Sequence, residues 1–294
     1  MLPFNLKMSH TSQLFPWLDY KNAPFTKRIK RRHKTFWTSP DAEEFRNTPL
    51  QKFGSLANLK QQPNWQRVLS NKANAMHFAA MHGCKTPLIY WRGRNVESIN
   101  FSALPPQFVI KPTIGHSCNN VFLMDNGYNH MDKKRYTYYE LTENMKQIME
   151  SNPLNEILIQ EFLTSESGEY RIPTDYKVHT FNGEIARIEV IYRTGPGKGT
   201  VNVFDTNWEP KENIGKKYVN GDDLAPPKCL PQIINQAKTL SKAYQIYVRI
   251  DFYATAKGAV FGEFTPTPGI GIGFTNKADR LFTFYWDEYC EGMI

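Results

Sequence analysis

Three pairs of apolar runs, each joined through a short turn-forming segment, constrain this chain more than any other feature. In "TDYKVHTFNGEIARIEVIYR" (Thr174–Arg193) two alternating runs meet at Asn182-Gly183. Asn-Gly in that setting is the strongest short signal for a two-residue hairpin, because both turn positions need positive φ. "YVRIDFYA" and "AVFGEFT" form a second pair around Lys257-Gly258. "LPPQFVIKP" (Leu104–Pro112) and "VFLM" form a third, separated by "TIGHSCNN". Runs bounded by such residues read as strands.

Helical patterns fall between these pairs. "NWQRVLSNKANAMHFAAMHG" (Asn64–Gly83) reads as one helix with Gly83 as its C-cap. "YYELTENMKQIMESN" (Tyr138–Asn152) reads as a second, with Thr142 near its start and Asn152-Pro153 as its stop. "PQIINQAKTLSKAYQ" (Pro231–Gln245) reads as an amphipathic third, with proline in the first turn. "EILIQEFL" (Glu156–Leu163) is a buried strand by its continuous apolar run, and "TPLIYW" (Thr86–Trp91) a further strand. Residues 1–60 read as loops and short helices broken by prolines. From residue 104 onward the order is hairpin, helix, strand, hairpin, helix, hairpin. That order gives antiparallel α+β layers, not a doubly wound parallel sheet.

The hairpin around Lys257 carries one carboxylate on each run, Asp251 and Glu263. A buried, unpaired carboxylate is costly, so a positive partner is required: an arginine, a lysine or a metal ion. With the turn near Lys257, the two acids can be cross-strand neighbours on one face, the turn deciding which way they point. Arg249 lies two residues before Asp251 and shares that face. One reading is a structural Arg249–Asp251–Glu263 ion cluster. The other is a pair of hard oxygen ligands for Mg²⁺, which takes one or two carboxylates plus substrate phosphates.

Lys111 ends the "FVIK" strand, where it could reach a phosphate lined by the backbone of the next loop, or be an ordinary strand-end lysine. "TIGHSCNN" holds a single glycine and is no Walker-type loop. The glycines of "RTGPGKGT" (Arg193–Thr200) read as a flexible connection. "LIQEFL" running into "TSESGEY" suits an adenine edge and a ribose, or a core strand leaving its sheet.

Charge is uneven. Of a net +8, residues 1–60 carry eleven Lys/Arg against four Asp/Glu, a net of +7. The densest piece is "TKRIKRRHK" (Thr26–Lys34), with Trp17, Tyr20, Phe25, Phe36 and Trp37 around it. It reads as a dock for an anionic glycan, membrane surface or nucleic acid, or as a solvated basic face; it lacks a clean amphipathic period. No RNA-binding aromatic motif or zinc finger supports nucleic acid. No apolar run approaches the ~20 residues that span a bilayer. The first residues make a poor secretory signal, and the four cysteines form no C-x-x-C pair. These features place the chain in the cytoplasm, with a peripheral position at the inner membrane face as an option.

Taken in order, strand-lysine, small loop, "QEFL", "DYK" hairpin, "RID" and "GEFTPTPG" resemble the ATP-grasp superfamily, and within it the TupA-like ATP-grasp proteins of surface-polysaccharide gene sets. The resemblance runs from about Asn71 to Phe274 and is carried by "LPPQFVIK", "DYKVHTFNG", "YVRIDFY" and "FGEFTPTPG". It implies an α+β ATP-grasp fold, two lobes with antiparallel sheets enclosing ATP. It also implies a division into residues 1–70 (basic region, acceptor docking), 71–103 (N-terminal substrate subdomain), 104–163 (small lobe) and 164–294 (large lobe with the metal site). Lys111 would contact the α/β-phosphates and Lys177 would be a second phosphate-facing cation. Gln160, Glu161, Phe162 and Leu163 would form the adenine hinge. Arg249 would steady an oxyanion or acyl phosphate, while Asp251, Glu263 and Thr265 would hold Mg²⁺. Thr265 stands where the usual E-x-N has its amide, and Asn71-Lys72-Ala73 where relatives read "DKY". His116, Ser117 and Cys118 replace glycines of the phosphate loop.

The implied activity is an ATP-dependent carboxylate–amine ligase working through an acyl phosphate, attaching an amino acid or amine to a carboxylated surface glycan or its precursor. An ATP-grasp kinase acting on a hydroxyl and a non-catalytic basic glycan-binding protein are the alternatives. No G-x-S-x-G elbow marks a covalent nucleophile.

Overall fold

The structure is a computed structural model that describes residues 23–115, 119–195 and 198–292. His116, Ser117 and Cys118, and the part of the basic region before residue 23, lie outside the described residues. The chain builds two sheets. The smaller contains β1 (Ile89–Gly93), β2 (Gln107–Pro112), β3 (Phe122–Asp125), β4 (Tyr128–Asn129), β5 (Lys134–Arg135) and β6 (Ile157–Glu161), in the order β1-β6-β2-β3-β4-β5. The larger contains β7 (Asp175–Phe181), β8 (Glu184–Gly195), β9 (Lys198–Phe204), β10 (Pro210–Lys211), β12 (Val248–Thr255) and β13 (Gly258–Thr265), in the order β10-β9-β8-β7-β12-β13. Its remaining strand, β11 (Val219–Asn220), runs parallel to β9, while the other pairings among the described strands are antiparallel. The α+β layering expected from the hairpin order is present.

Seven helices surround the sheets among the described residues: α1 (Phe25–Trp37), α2 (Ala42–Asn47), α3 (Leu56–Lys60), α4 (Lys72–Met81), α5 (Tyr138–Glu150), α6 (Leu230–Tyr244) and α7 (Asn276–Tyr289). Two helix expectations change. The segment 64–83 divides into a 3-10 stretch, Trp65–Ser70, and α4, because Asn71 leaves the helical region and caps the backbone N–H groups of Ala73 and Asn74. Helix α5 starts at a capping box of Thr137 and Glu140, whereas Thr142 sits inside it and donates to the Tyr138 carbonyl.

In the small sheet Phe108, Ile110, Phe122, Met124, Ile157 and Ile159 pack with Leu141, Met145 and Ile148 of α5. Because strand side chains alternate, Val109, Lys111, Leu158 and Gln160 point to the opposite face. Leu158 belongs to the main core that also holds the large sheet, so this face turns toward the large lobe. In the large sheet Val178, Ile250 and Phe264 face α4 and α6, with the Phe264 ring 5.8 Å from Phe78 and 5.4 Å from Tyr244. Asp175, Lys177, His179 and Phe181 of β7 share the other face, as do Tyr247, Arg249 and Asp251 of β12 and the residue before it. One end of that face is sealed by an aromatic block of Phe25, Phe181, Tyr247, Phe282 and Trp286, contributed partly by α1 and α7.

Helix α1 corrects the reading of the basic run. Phe25, Arg28, Ile29, Arg32 and Phe36 form its buried face. The helix is amphipathic, with Phe25, Ile29 and Phe36 on the inward side together with two arginines. Arg28 binds the Ala23 carbonyl and Asp287; Arg32 donates to the carbonyls of Tyr247 at 2.6 Å and Pro266 at 3.2 Å and stacks over Trp286. Lys27, Lys30, Arg31 and Lys34 remain exposed on the other side. No helix among the described residues is long and apolar enough to cross a membrane. Cys84, Cys229 and Cys290 are buried free thiols.

Candidate active site

The site begins with a register. Glu189, Lys177, Asp251 and Glu263 are successive cross-strand partners on β8, β7, β12 and β13. Four charged groups, three carboxylates and one lysine, therefore form one row on one face of the sheet. One rung further lie His179, Arg249 and Thr265, again mutual partners.

Two bulges make this row. β13 has one extra residue opposite the Asp251–Phe252 step, which brings Glu263 opposite Asp251. Gly262 is that residue, and a Cβ on it would lie 2.9 Å from the Asp251 carbonyl oxygen. β8 has an extra residue, Ala186, opposite the His179–Thr180 step, which brings Glu189 opposite Lys177.

Asp251 is buried and accepts from two cations. Arg249 binds it through Nε to Oδ1 at 2.7 Å and Nη2 to Oδ2 at 3.0 Å, and Lys177 Nζ binds Oδ2. Burial works against the ionised form of Asp251, but Arg249 and Lys177 outweigh it and hold the carboxyl at about 2. Burial and Arg249 push the Lys177 ammonium down, whereas Asp175, Asp251 and Glu263 more than restore it, so its pKa ends raised. Arg249 Nη2 also donates to Thr265 Oγ1 at 2.9 Å and stands 3.9 Å from Glu263.

Three further residues join the cluster that the sequence reading left out. Asp175 lies 3.5 Å from Lys177 Nζ and accepts from Arg193 Nε at 2.8 Å. Glu189, opposed by burial but favoured by His179, Arg249 and Lys177, is kept ionised below its ordinary pKa. His179 is buried, binds the Tyr247 hydroxyl through Nδ1 at 3.0 Å, and is pushed toward the neutral form chiefly by burial. The i, i+2 spacing of Asp175 and Lys177 in "DYK" was the available signal for Asp175.

The other expected residues lie on the small sheet and the segment leaving it. Lys111 pairs with Leu158, and Gln160 with Val109, on the face turned to the large lobe. Gln160 is buried and its Oε1 has no partner among the described residues. Glu161 turns elsewhere: its carboxylate binds Lys257, and its backbone N–H donates to the Leu88 carbonyl. Phe162 is buried with Val109, Leu123 and Met131. Leu163 lines a cavity of about 270 Å³ with Glu166, Tyr176, Lys228 and Thr255. Lys72 Nζ donates to the Gly115 carbonyl at the stem of the 113–121 loop.

A divalent cation fits this donor set in a limited way. Asp251 Oδ1 accepts one hydrogen bond and keeps a lone pair, and Glu263 is about one-third exposed. Among the described residues no group of three or more His, Cys, Asp or Glu is arranged as a metal centre. Two carboxylates are what Mg²⁺ needs from a protein when phosphate oxygens and water supply its other ligands.

Two antiparallel α+β lobes, with a charged row on the face of one and Lys111 and Gln160 on the facing sheet of the other, define an ATP-grasp fold. A sequence profile of the TupA-like ATPgrasp family matches residues 54–284. The chain belongs to the TupA-like ATP-grasp family. Among solved structures, D-alanine–D-alanine ligase from Bacillus anthracis complexed with ATP is similar at a TM-score of 0.50 and 16% identity, over 76% of this chain and 66% of that one. A second structure of that ligase matches at 0.50 and 15%, over 76% and 68%. L-amino acid ligase from Bacillus licheniformis matches at 0.47 and 13%, over 72% and 44%. The chain spans about two thirds of the length of the Bacillus anthracis ligase, and at such identity the likeness concerns the fold. No curated protein matches the sequence.

Proposed function

We propose that this protein is an ATP-dependent ligase that joins a carboxylate to an amine, with a carboxylated surface glycan or its precursor as the acceptor. The observation that carries the reading is the in-register row Glu189–Lys177–Asp251–Glu263 with Arg249 one rung on. A carboxylate is a poor electrophile, since an amine does not displace oxide from it. Transfer of the γ-phosphoryl group from ATP to the carboxylate gives an acyl phosphate and ADP. The amine then attacks the acyl carbon, and phosphate leaves as the amide forms.

Each step gathers negative charge, so the protein's work is positioning and fixed positive charge. Lys111 binds the α/β-phosphates from the small lobe, and Lys177 meets the transferred phosphoryl group from the large one. Arg249, aimed by Asp251 and Thr265, steadies the oxyanion of the tetrahedral intermediate. Gln160 and the backbone of Glu161 to Leu163 hold the adenine edge. Asp251 and Glu263, with the remaining lone pair of Thr265, would hold Mg²⁺. That ion, when bound, neutralises phosphate charge. No covalent enzyme intermediate is needed.

The test is a screen of carboxylates against amines with Mg-ATP, including uronate-bearing glycans and nucleotide sugars. ADP and phosphate released together only when both substrates are present, with an amide found by mass spectrometry, is the expected result. Phosphate retained on a hydroxyl-bearing product would make the protein a kinase and overturn the proposal.

A further inference from the structure

One carboxylate of the charged row has no task in the reaction set out above. Glu189 stands opposite Lys177, and its side chain is only 14% exposed. Asp251 and Asp175 are each bound by an arginine, at 2.7 and 2.8 Å. Glu189 has no such bond among the described residues. His179 Nε2, itself buried without a partner, is 4.0 Å from Oε2, too far for a hydrogen bond. Burial favours protonation of Glu189, yet His179, Arg249 and Lys177 keep it charged. A charged, largely buried carboxylate needs a donor.

Room for one lies beside it. The segment 213–217 passes Glu189 and is tied down by two backbone bonds, from the Thr275 N–H to the Ile214 carbonyl and from the Lys216 N–H to the Gly273 carbonyl. Gly215 sits between them. A Cβ on it would lie 3.7 Å from Glu189 Oε1 and 3.8 Å from the Gly273 carbonyl oxygen. Its φ is not positive, so the backbone does not demand glycine there. What the missing side chain provides is space next to two acceptor oxygens. Gly273 is exposed, so the space is reached from solvent. Its carbonyl accepts one bond from Lys216 and keeps a second lone pair.

We infer that Glu189 receives the ammonium group of the amine substrate, in the space that Gly215 leaves open, with the Gly273 carbonyl as a second acceptor. An ammonium group offers three donors on a compact charge, which suits a carboxylate and a carbonyl side by side. A carboxylate in the same place would be repelled by Glu189, and a hydroxyl would leave its charge unmatched. The inference rests on the ligase reading and adds the second substrate to it. The amine is a primary one that arrives charged, and it lies next to Lys177, which meets the transferred phosphoryl group.

The test is saturation-transfer NMR on the full chain with two pairs of small probes, glycinamide against glycolamide and ethanolamine against ethylene glycol. Each pair exchanges an ammonium group for a hydroxyl. Saturable binding of the two amines alone is expected. Glu189→Gln should weaken it on the order of 100-fold, because the charge that faces the ammonium is lost. Gly215→Ala should weaken it about tenfold. Its methyl group makes ordinary contacts at 3.7 and 3.8 Å, so it fills the space without disturbing the fold, and thermal melts control for that. Equal binding of the hydroxyl probes, no binding of either amine, or parent-like binding by either variant overturns the inference. The second readout is kinetic, with the carboxylate found by the screen above. Hydroxylamine, uncharged near neutral pH, traps the acyl phosphate as a hydroxamate. Glu189→Gln should raise the amine KM on the order of 100-fold while hydroxamate formation falls far less. Equal loss of both makes Glu189 a counter-charge to Lys177 and overturns this inference alone. A parent that forms no hydroxamate overturns the ligase reading instead, and the NMR result then decides the ammonium site by itself.

Discussion

Helix α1 buries two cations, and the large sheet holds a buried Lys177 beside a partly buried Arg249, among different partners. Arg28 and Arg32 are fully buried; Arg32 meets backbone carbonyls and aromatic rings, and burial lowers its pKa. Lys177 and Arg249 share one carboxylate, with Asp175, Glu189 and Glu263 around them. The first pair fastens an element: Arg32 ties α1 to the chain at Tyr247 and Pro266, on either side of the hairpin that carries the site. The second pair is an electrostatic balance that an arriving phosphate can change. A burial value does not separate the two roles, but the chemistry of the partners does.

The comparison breaks most visibly at Glu263. In Glu263→Gln we expect turnover to fall on the order of 1,000-fold with little change in melting temperature, because Glu263 is partly exposed and stands 3.9 Å from Arg249. Asp251→Asn should lose as much activity and stability as well, since it leaves the buried Lys177 and the partly buried Arg249 against fewer charges. Steady-state phosphate release and thermal melts on the same preparations separate the two. Near-normal turnover in Glu263→Gln at limiting Mg²⁺ would remove it from the site.

The converse holds for Arg32. Arg32→Met should cost about 3 kcal/mol in urea unfolding, because two buried carbonyls lose their donor and the Trp286 ring loses its cation. Its nucleotide affinity, measured by calorimetry on folded protein, should stay within about twofold. An equal loss of affinity and stability would merge the two pairs of cations into one system.

Much of the frame was legible in the sequence because the signals were local. Asn182 and Gly183 both have positive φ, at 48° and 105°, as a two-residue turn requires. "RID" and "GEFT" marked Arg249, Asp251 and Glu263 through i, i+2 spacing and one turn. The bulges were not legible. From Thr255 opposite Gly258, a regular ladder would pair Asp251 with Gly262 and turn Glu263 to the other face. Centring the turn on Lys257 reached the right partner only because Gly262 supplies the offset. The same step at Ala186 hid Glu189, since a regular hairpin from Phe181 opposite Glu184 pairs Lys177 with Ile188. In α1 the helical period was legible in Phe25, Ile29 and Phe36, at i, i+4 and i+11, although Arg28 and Arg32 share that face.

The bulge at Gly262 gives the next test. Gly262→Ala places a methyl group 2.9 Å from the Asp251 carbonyl oxygen, a backbone atom with little room to give. The variant should lose about 2 kcal/mol of stability. It should also lower turnover more than Ala186→Gly does, because it moves Glu263 relative to Asp251. Full activity in Gly262→Ala would show that the acids need not be in register.

The smallest effect concerns the acid limb of stability. Asp251 has a carboxyl held at about 2 in the folded chain against an ordinary 3.8. Because the folded value is the lower one, the unfolded chain takes up the proton first as pH falls. The stabilisation is complete above the unfolded value and disappears as pH drops from about 4 toward 2, amounting to about 2 kcal/mol. Urea midpoints should therefore fall less steeply between pH 4 and 2 in Asp251→Asn than in the parent. If Asp251→Asn kept the parent's slope, the acid sensitivity would belong to other carboxylates, and the pairing of Asp251 with Lys177 and Arg249 would carry no net stabilisation.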